Sequence, residues 1–336
     1  MQKIILSRAD SIGDVVLTLP MAGKLKEMYP SSYIIFLGRD YTRDIVSLST
    51  YIDEFLSWDE VARSENIRKR ASVLKKTGAD TIIHVFPLKE IAIAAKKAGI
   101  KTRIGTSGRL YHYVTCNKLV KFSRKRSNLH EAQLNFKLLK PLGLNNEINQ
   151  KEVETYFGLN NIPILSKELH SLIDPSRVNL ILHPKSKGSA REWGLENFQQ
   201  LIDLLDDKRY KIFITGTEPE GQLFRKYITF KRNYCIDVSG KMNLKQLIAF
   251  IDQTDGLVAA STGPLHIAAA LGKVAIGLYP PIKPMHPGRW APVGPKATFI
   301  VNSKDCSDCR KEGICHCMTE IKPQKVQQIL EDHFGK

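Results

Sequence analysis

Short apolar runs alternate with amphipathic stretches along the whole chain, and this alternation constrains the fold more than any other feature. Strand-like runs are predicted near residues 3–7, 33–38, 54–57, 80–86, 102–105, 178–183, 210–215, 234–238, 256–260 and 274–279. The stretches between them have helical spacing, a pattern typical of βαβ units in which helices cover both faces of a parallel sheet. The sequence therefore predicts an α/β fold with two Rossmann-like domains.

The two groups of strands are separated by residues 144–176, which lack strong periodicity and contain several Asn and Pro residues. Such punctuation is typical of a connection between domains. We therefore predict domains at 1–150 and 151–336. Two Rossmann-like domains that face one another leave a cleft at the carboxyl ends of their strands, where ligands bind.

Composition limits the class of protein. With 336 residues and 43% apolar content, the chain can form two ordinary cores. No run approaches the roughly 18–20 apolar residues that a membrane helix needs. Arg8, Asp10 and Asp14 interrupt the first apolar run, and no small-residue cleavage site follows it, so a signal peptide is not predicted. We expect a cytoplasmic protein.

The net charge of +16 is unevenly distributed. Ten basic residues and no acidic ones lie between Lys96 and Arg126. Such a surface attracts a partner with several phosphates or carboxylates, such as nucleic acid, an anionic membrane or an acidic glycolipid. A solvated basic face is the simpler alternative.

The first apolar run is followed by a small-residue turn that contains Ser11, Gly13 and Asp14. The dinucleotide fingerprint Gly-x-Gly-x-x-Gly is absent. Gly13 permits close approach of the backbone to a ligand. Asp14, in the first turn of the next helix, is a candidate catalytic base, and its alternative role is a helix cap.

A second strand-to-helix turn carries hydroxyls and small residues instead of acid. Ser261 or Thr262 can cap the helix, Gly263 removes side-chain bulk, and Pro264 suits the first helical position. The free amides and the helix dipole then form an anion site of the kind that binds pyrophosphate. His266 either donates to a phosphate or lies in the core.

A third turn is basic. Lys185, Ser186, Lys187 and Arg191 follow another predicted strand, and their cations can neutralise charge that develops on a diphosphate leaving group without a metal. The spacing excludes a P-loop, and a flexible basic loop is the alternative.

Glu218 closes a further predicted strand, where it can bind ribose hydroxyls or cap the following helix. No Asp-x-Asp pair occupies a convincing strand-end loop, so we expect no divalent metal held by paired carboxylates.

Cysteines cluster near the C-terminus at Cys306, Cys309, Cys315 and Cys317. Cys-x2-Cys is a zinc half-site, but the second pair is too tightly spaced for the usual pattern, so a zinc site competes with a reduced cysteine-rich loop. Cytosolic thiols argue against disulfides. Cys116 and Cys235 lie in apolar surroundings and are predicted to be buried.

Residues 11–20 and 261–270 resemble the two signature segments of glycosyltransferase family 9, the bacterial ADP-heptose:lipopolysaccharide heptosyltransferases. Similar features, including Arg103-Ile-Gly105 and Asn128-Leu-His-Glu131, extend the resemblance over essentially the whole chain. The resemblance implies a GT-B fold and inverting transfer of heptose from ADP-heptose to the Kdo–lipid A inner core, without metal or cofactor.

The resemblance also implies roles for individual residues. Asp14 would deprotonate the acceptor hydroxyl, Arg191 best matches the family's loop lysine, Glu218 would hold the ribose, and Met242 would pack near adenine. The full donor-binding set predicted here is Ser11, Gly13, Lys185, Ser186, Lys187, Arg191, Glu218, Met242, Ser261, Thr262, Gly263, Pro264 and His266.

The inner core is rich in phosphates and carboxylates and is built at the cytoplasmic face of the inner membrane. This implies acceptor contacts at Arg124, Lys125 and Arg126, and a peripheral membrane protein that does not bind nucleic acid. We expect a monomer.

Two features depart from the family pattern. Ser261 stands where some heptosyltransferases carry Asp before Thr-Gly, and the loop at 185–191 does not align cleanly. Three alternatives follow: a relative that uses another nucleotide sugar, such as an N-acetylhexosamine donor; a nucleotide-binding isomerase or dehydrogenase; and a non-enzymatic basic protein that binds nucleic acid or membrane.

Overall fold

The structure is a computed structural model that describes residues 2–231, 233–283, 285–302 and 315–335. The chain divides into two compact units, Met1–Asn161 and Ile162–Lys336. Each unit is built around its own parallel sheet of six strands. No helix in the described ranges has both the length and the apolar character needed to cross a bilayer.

The first unit alternates strands and helices. Its strands are β1 (Lys3–Ser7), β2 (Tyr33–Gly38), β3 (Glu54–Ser57), β4 (Thr81–His84), β5 (Thr102–Thr106) and β6 (Lys118–Val120). Its α-helices are α1 (Ile12–Val16), α2 (Pro20–Met28), α3 (Arg43–Val46), α4 (Trp58–Ala62), α5 (Ile67–Lys76), α6 (Lys89–Lys97), α7 (His112–Thr115), α8 (Glu131–Phe136) and α9 (Gln150–Glu154). Short 3₁₀ helices cover Asp40–Thr42 and Lys137–Leu142.

The second unit repeats this plan. Its strands are β7 (Val178–His183), β8 (Tyr210–Ile214), β9 (Cys235–Asp237), β10 (Gly256–Ala260), β11 (Val274–Tyr279) and β12 (Ala297–Val301). Its helices are α10 (Lys167–His170), α11 (Leu195–Leu204), α12 (Glu218–Phe224), α13 (Leu244–Gln253), α14 (Gly263–Ala270), α15 (Pro287–Trp290), α16 (His316–Thr319) and α17 (Pro323–Phe334).

Both sheets have the same strand order. It is β3-β2-β1-β4-β5-β6 in the first unit and β9-β8-β7-β10-β11-β12 in the second. In each sheet the chain moves outward in one direction, then returns to the centre and moves outward in the other. The direction therefore reverses between β1 and β4, and between β7 and β10. Ligands of open α/β sheets bind outside the carboxyl ends of the strands at this switch point.

The central strands are apolar along their whole length because helices cover both faces of the sheet. In β1, Ile4, Ile5 and Leu6 are fully buried, and β10 and β11 are buried throughout. Amphipathic helices bury one face each, as in α13, where Ile248 and Ile251 point inward. The predicted α/β class with two Rossmann-like sheets is confirmed.

The first predicted helix, at 16–28, is instead two helices. α1 begins at Ile12 and ends at Val16, and α2 begins at Pro20. Proline has no amide hydrogen and is favoured at the first position of a helix, so it starts a new helix rather than continuing the old one. This break leaves Asp14 in the first turn of a short, separate helix directly after β1.

The unit boundary follows Asn161 rather than residue 150, the limit predicted from the sequence. Residues after α9 pack on the first unit through hydrogen bonds to its backbone. Ser49 Oγ donates to Phe157 O at 3.0 Å, and Thr50 N donates to Gly158 O at 2.9 Å. A sequence reading based on loop composition misses these contacts because Asn and Pro mark the loop but not the surface on which it lies.

Gly23, in α2, gives a test of this packing. A Cβ at this position would lie 2.4 Å from Tyr156 O, so Gly23→Ala forces the backbone of the 150–161 segment outward. Alanine favours helix by up to about 1 kcal/mol, yet overpacking costs about 1–3 kcal/mol, so we expect net destabilisation in urea unfolding.

Gly108→Ala is the matched control, since the nearest atom to its added Cβ is Thr106 Oγ1 at 3.9 Å. We expect this variant to unfold within about 0.5 kcal/mol of the parent. Equal stability of the two variants would show that the segment does not hold the position described.

Candidate functional site

Asp14 lies at the switch point of the first unit, in the first turn of α1 and directly after β1. Its carboxylate accepts hydrogen bonds from Arg8 Nη2 at Oδ1 and from Ser11 Oγ at Oδ2. Ser11, the N-cap residue, makes no side-chain capping bond. The Asp14 side chain is 18% exposed, so it is held in place but accessible. These contacts favour a positioned carboxylate over a simple helix cap.

Arg8 is the buried cation that positions Asp14. Its Nε lies 2.7 Å from Asp10 Oδ1, and its Nη1 lies 3.2 Å from Glu131 Oε1. Burial alone would lower the pKa of Arg8, but the carboxylates of Asp14, Asp10 and Glu131 outweigh burial and raise it above the usual value. The guanidinium therefore remains charged, with one carboxylate on each of its three nitrogens.

A second cation extends this network. Arg124 pairs with Glu131, and its Nη2 donates to Val85 O at 2.9 Å and to Asn135 Oδ1 at 3.1 Å. Asn135 Nδ2 in turn donates to Leu17 O at 3.0 Å, just beyond α1. Arg124 thus connects α8 with the strand ends rather than projecting into solvent. Its acceptor-binding role stays a prediction.

The other two predicted acceptor contacts are placed differently. Lys125 and Arg126 follow Arg124 and are exposed. They are available to an anionic partner, and their assigned role also stays a prediction.

Asp10 is the unusual carboxylate of the cluster. Burial raises its pKa to about 6 from the ordinary 3.8, although the positive charge of Arg8 acts in the opposite direction. Repulsion from Asp14 raises it further. The cluster therefore contains one carboxyl group that gains a proton in mildly acidic solution, which reduces the negative charge beside Asp14.

The switch point of the second unit carries the hydroxyl-rich turn. Thr262 is the N-cap of α14, Pro264 lies in its first turn, and His266 is buried one turn in. Thr262 Oγ1 is buried and has no hydrogen-bond partner among the described residues. A buried hydroxyl at a helix N-terminus, beside first-turn amides, is suited to bind a phosphate oxygen.

An acidic residue, Glu192, holds the basic loop after β7 through an ion pair and a backbone hydrogen bond. Glu192 Oε2 pairs with Lys185 Nζ at 2.5 Å, and its Oε1 accepts from Ser186 N at 3.0 Å. Lys187 has a left-handed backbone, with φ of 49°, and is exposed. It forms no ion pair with a described residue, so its charge is available to a ligand. Arg191 is half-buried within the same loop.

Trp193 anchors the end of this loop. Its ring is fully buried, and its Nε1 donates to Ile321 O at 2.8 Å. At the start of the loop, His183 Nδ1 lies 2.9 Å from Thr215 Oγ1, and burial lowers the pKa of this histidine to about 4. The neutral imidazole is thus a fixed hydrogen-bonding group at the strand end.

Glu218 begins α12 at the carboxyl end of β8, but it does not cap the helix. Thr217 is the N-cap and forms a capping box with Glu220, which accepts from Thr217 N at 2.7 Å. Glu218 instead pairs with Arg225 through both oxygens, at 2.5 and 2.9 Å, and these hydrogen bonds lower its pKa. Gly240 lies directly beside this carboxylate. Any other residue would crowd it, because a Cβ at position 240 would lie 2.8 Å from Glu218 Oε2.

Three remaining donor residues have simpler surroundings. Gly13 is half-buried in α1, and Met242 is half-buried just before α13. Ser261 is half-buried directly after β10. The donor-binding roles of all these residues stay predictions.

Sequence reasoning missed the partners of the candidate residues. Arg8 holds Asp14, Glu192 holds Lys185, and Arg225 holds Glu218. The sequence did contain a signal that Arg8 is paired with carboxylates. A charged residue directly after a buried strand is costly unless it has a partner of opposite charge.

The cysteines divide into two groups. Cys116 and Cys235 are buried as predicted, and burial raises the pKa of Cys235 to about 12. Cys315 and Cys317 are also buried, whereas Cys306 and Cys309 lie outside the described residues. Within the part of the chain that is described, no three His, Cys, Asp or Glu residues are placed to hold a metal. The zinc site stays a prediction.

Two parallel sheets of identical strand order, each with candidate residues at its switch point, are typical of the GT-B fold. The structure of Escherichia coli ADP-heptose lipopolysaccharide heptosyltransferase II superposes with a TM-score of 0.72, covering 99% of this chain and 98% of that one at 19% identity. Residues 67–317 match the model of glycosyltransferase family 9 (heptosyltransferase), and the chain belongs to this family.

Curated relatives agree with this assignment. A Haemophilus influenzae protein named only as a glycosyltransferase is 24% identical over 87% of this chain and 86% of its own length. Lipooligosaccharide heptosyltransferase 2 of the same organism is 30% identical over 44% of this chain and 45% of its own length. The protein is therefore a glycosyltransferase.

The raised pKa of Asp10 gives a test of the cluster. Between about pH 4 and about pH 6 the folded state binds this proton more tightly than the unfolded state, so the contribution of Asp10 to the free energy of unfolding falls as the pH rises through this window. Asp10→Asn removes the titration. We expect the difference in unfolding free energy between parent and variant to change by up to about 3 kcal/mol over the window, measured by urea unfolding.

Asp44→Asn is the control for loss of a carboxylate, because Asp44, on α3, forms no ion pair with a described residue. The pH dependence measured for Asp10→Asn is compared with that of this control variant. A constant difference for Asp10→Asn over the same range would contradict the raised pKa.

Proposed function

We propose that this protein is an inverting, metal-independent heptosyltransferase that transfers heptose from ADP-heptose to the Kdo–lipid A inner core of lipopolysaccharide. Membership of glycosyltransferase family 9 and relatives named as lipooligosaccharide or lipopolysaccharide heptosyltransferases support this proposal. The observation that carries it is Asp14, an accessible carboxylate held by a buried arginine at the switch point of the first unit.

In the proposed reaction, Asp14 accepts the proton of an acceptor hydroxyl. Oδ1 is held by Arg8, so Oδ2 is the oxygen that takes the proton, after the exposed Ser11 hydroxyl turns away. The acceptor oxygen attacks the anomeric carbon from the face opposite ADP. The bond between that carbon and the diphosphate oxygen breaks, ADP leaves with the electron pair, and the configuration is inverted.

The second unit would stabilise the leaving diphosphate. The first-turn amides of α14, the Thr262 hydroxyl and His266 face the phosphates in this proposal, and exposed Lys187 adds positive charge. Preorganised donors and cations of this kind stabilise developing negative charge without a metal.

The nucleoside would bind on the other side of β7. Glu218 holds the ribose hydroxyls, with Arg225 fixing its carboxylate and Gly240 leaving space beside it. Met242 packs near the adenine ring.

Ser261 favours one alternative. It stands where some heptosyltransferases carry Asp, so this position offers a hydroxyl and not a carboxylate to the donor sugar. The second candidate is therefore a family 9 transferase that uses another nucleotide sugar, such as an N-acetylhexosamine donor. In either case we propose a cytoplasmic protein bound peripherally to the inner membrane, where the acceptor is made.

Product analysis by mass spectrometry tests the reaction. The protein is incubated in EDTA with ADP-heptose and either Kdo2-lipid A or its monoheptosylated form. We expect one heptose to be added to one of the two acceptors. No product with either acceptor, from protein that binds ADP, would favour the second candidate, and a requirement for added magnesium would contradict the metal-independent mechanism.

Asp14→Asn tests the base. We expect turnover to fall at least about a hundredfold, because a general base contributes about 10²–10⁴ in rate, while the affinity for ADP changes only a few-fold. Initial rates and calorimetric titration with ADP measure the two effects. Asp44→Asn should retain full activity, and loss of ADP binding in Asp14→Asn would instead indicate a structural role.

His266→Gln tests the phosphate site. If the imidazole contacts the diphosphate, the affinity for ADP falls about tenfold or more, since hydrogen bonds to charged groups are among the stronger ones. The affinity for adenosine should not change. Equal weakening of both ligands would return His266 to a packing role in the core of the second unit.

A further inference from the structure

Three apolar side chains are exposed to solvent within the basic segment of the first unit, residues 96–126. Leu110 is 88% exposed, Tyr113 59% and Val114 65%. They are spaced i, i+3 and i+4, and the helical turn reaches back from α7 to Leu110 because Tyr113 N donates to Leu110 O at 3.1 Å. Side chains with this spacing share one side of a helix. We call these three residues the apolar face.

The opposite side of this turn is fixed to the domain. Tyr111 Oη donates to Pro87 O at 2.7 Å, and His112 Nδ1 lies 2.9 Å from Thr106 O. Thr115 and Cys116 are buried below them. The polar side of the turn therefore faces the protein and the apolar side faces solvent, which is the reverse of the usual arrangement. These anchors fix which side of the turn remains outside.

The surroundings of the apolar face are strongly basic. Ser107 N donates to Val120 O at 3.1 Å, which brings the start of this turn beside the end of β6. Eight of the ten cations between Lys96 and Arg126 are exposed, and five of these follow β5 in the chain, as the apolar face does: Arg109, Lys118, Lys121, Lys125 and Arg126. Residues 91–130 contain no Asp or Glu. We call these five cations the basic surround.

We propose that the apolar face and the basic surround together dock on an anionic lipid membrane, with Leu110, Tyr113 and Val114 entering the interfacial region. The proposal rests on the proposed function, in which the acceptor is a membrane glycolipid. Aliphatic and aromatic side chains beside Lys and Arg match a bilayer interface with anionic headgroups. Nucleic acid would use the cations but would not require exposed Leu and Val.

The position of this surface within the first unit fits the role. β1 and β5 are parallel strands of one sheet, so their carboxyl ends lie along the same edge. Asp14 follows the end of β1, and the apolar face follows the end of β5. Docking would therefore bring the edge that carries the candidate base towards the headgroups, where the sugar of a lipid-linked acceptor lies.

Vesicle sedimentation with the full chain tests the proposal directly. The parent is mixed with vesicles of phosphatidylethanolamine containing phosphatidylglycerol, and with vesicles of phosphatidylcholine alone. We expect binding to the anionic vesicles only. Binding should weaken strongly as salt rises from about 0.1 M to about 1 M, because the Debye length falls from about 10 Å to about 3 Å.

The triple variant Leu110→Ser, Tyr113→Ser, Val114→Ser removes the apolar face. We expect its vesicle partition coefficient to fall about tenfold or more, since burial of each such side chain contributes substantially. The control variant carries Ile164→Ser and Leu223→Ser, which replace exposed apolar side chains of the second unit. Its partition coefficient should equal that of the parent. Equal binding by the triple variant, or no binding by the parent, would overturn the proposal.

Transfer to a water-soluble, deacylated Kdo acceptor separates docking from function. If both proposals are correct, the triple variant has normal activity on this acceptor and reduced activity on vesicle-embedded acceptor. Vesicle binding by a parent that transfers to neither acceptor would contradict the proposed function alone. Tight binding of the parent to RNA, without binding to the anionic vesicles, would replace the membrane with nucleic acid as the partner.

Discussion

The buried guanidinium of Arg8 is the interaction on which the candidate active site depends. It contacts Asp10, Asp14 and Glu131, and Glu131 is in turn shared with Arg124. Removing one partner of a buried ion pair leaves an uncompensated charge and typically costs about 3–5 kcal/mol. Two cations and three carboxylates thus stabilise one another. As a result, the turn after β1, the strand end at Val85 and α8 are held in one arrangement.

Much of the fold could be predicted from the sequence because buried parallel strands are continuous apolar runs. β1, β2, β3, β7, β10 and β11 begin and end where the pattern predicts. β6 and β12 were missed, and both lie at the edge of a sheet. In β6, Lys118 and Leu119 are exposed, so this strand has no apolar run to signal it. An edge strand without an apolar run, such as β6, is defined by its pairing with the neighbouring strand and not by its own side chains.

The turns of the candidate site were predicted because their signal is local in the sequence, whereas the distant partners of their residues were not. Gly, Ser, Thr and Asp in strand-end turns signal a local geometry, and this geometry is visible in a few consecutive residues. One of the three carboxylates that hold Arg8 is not local, because Glu131 lies 123 positions further along the chain. Whether a charged residue is a ligand contact or half of an internal pair depends on such distant partners. Arg124 illustrates this, since its sequence context suggests a surface cation and its contacts place it in a network.

The packing of residues 150–161 on the first unit has a consequence for biosynthesis. Ser49, Thr50 and Gly23 lie early in the chain, yet the backbone that covers them arrives only with Tyr156, Phe157 and Gly158. A ribosome has therefore added every strand of the first sheet before the segment that covers this surface is made. Until then Gly23 of α2 and the polar groups of Ser49 and Thr50 lack the neighbours that they have in the folded unit.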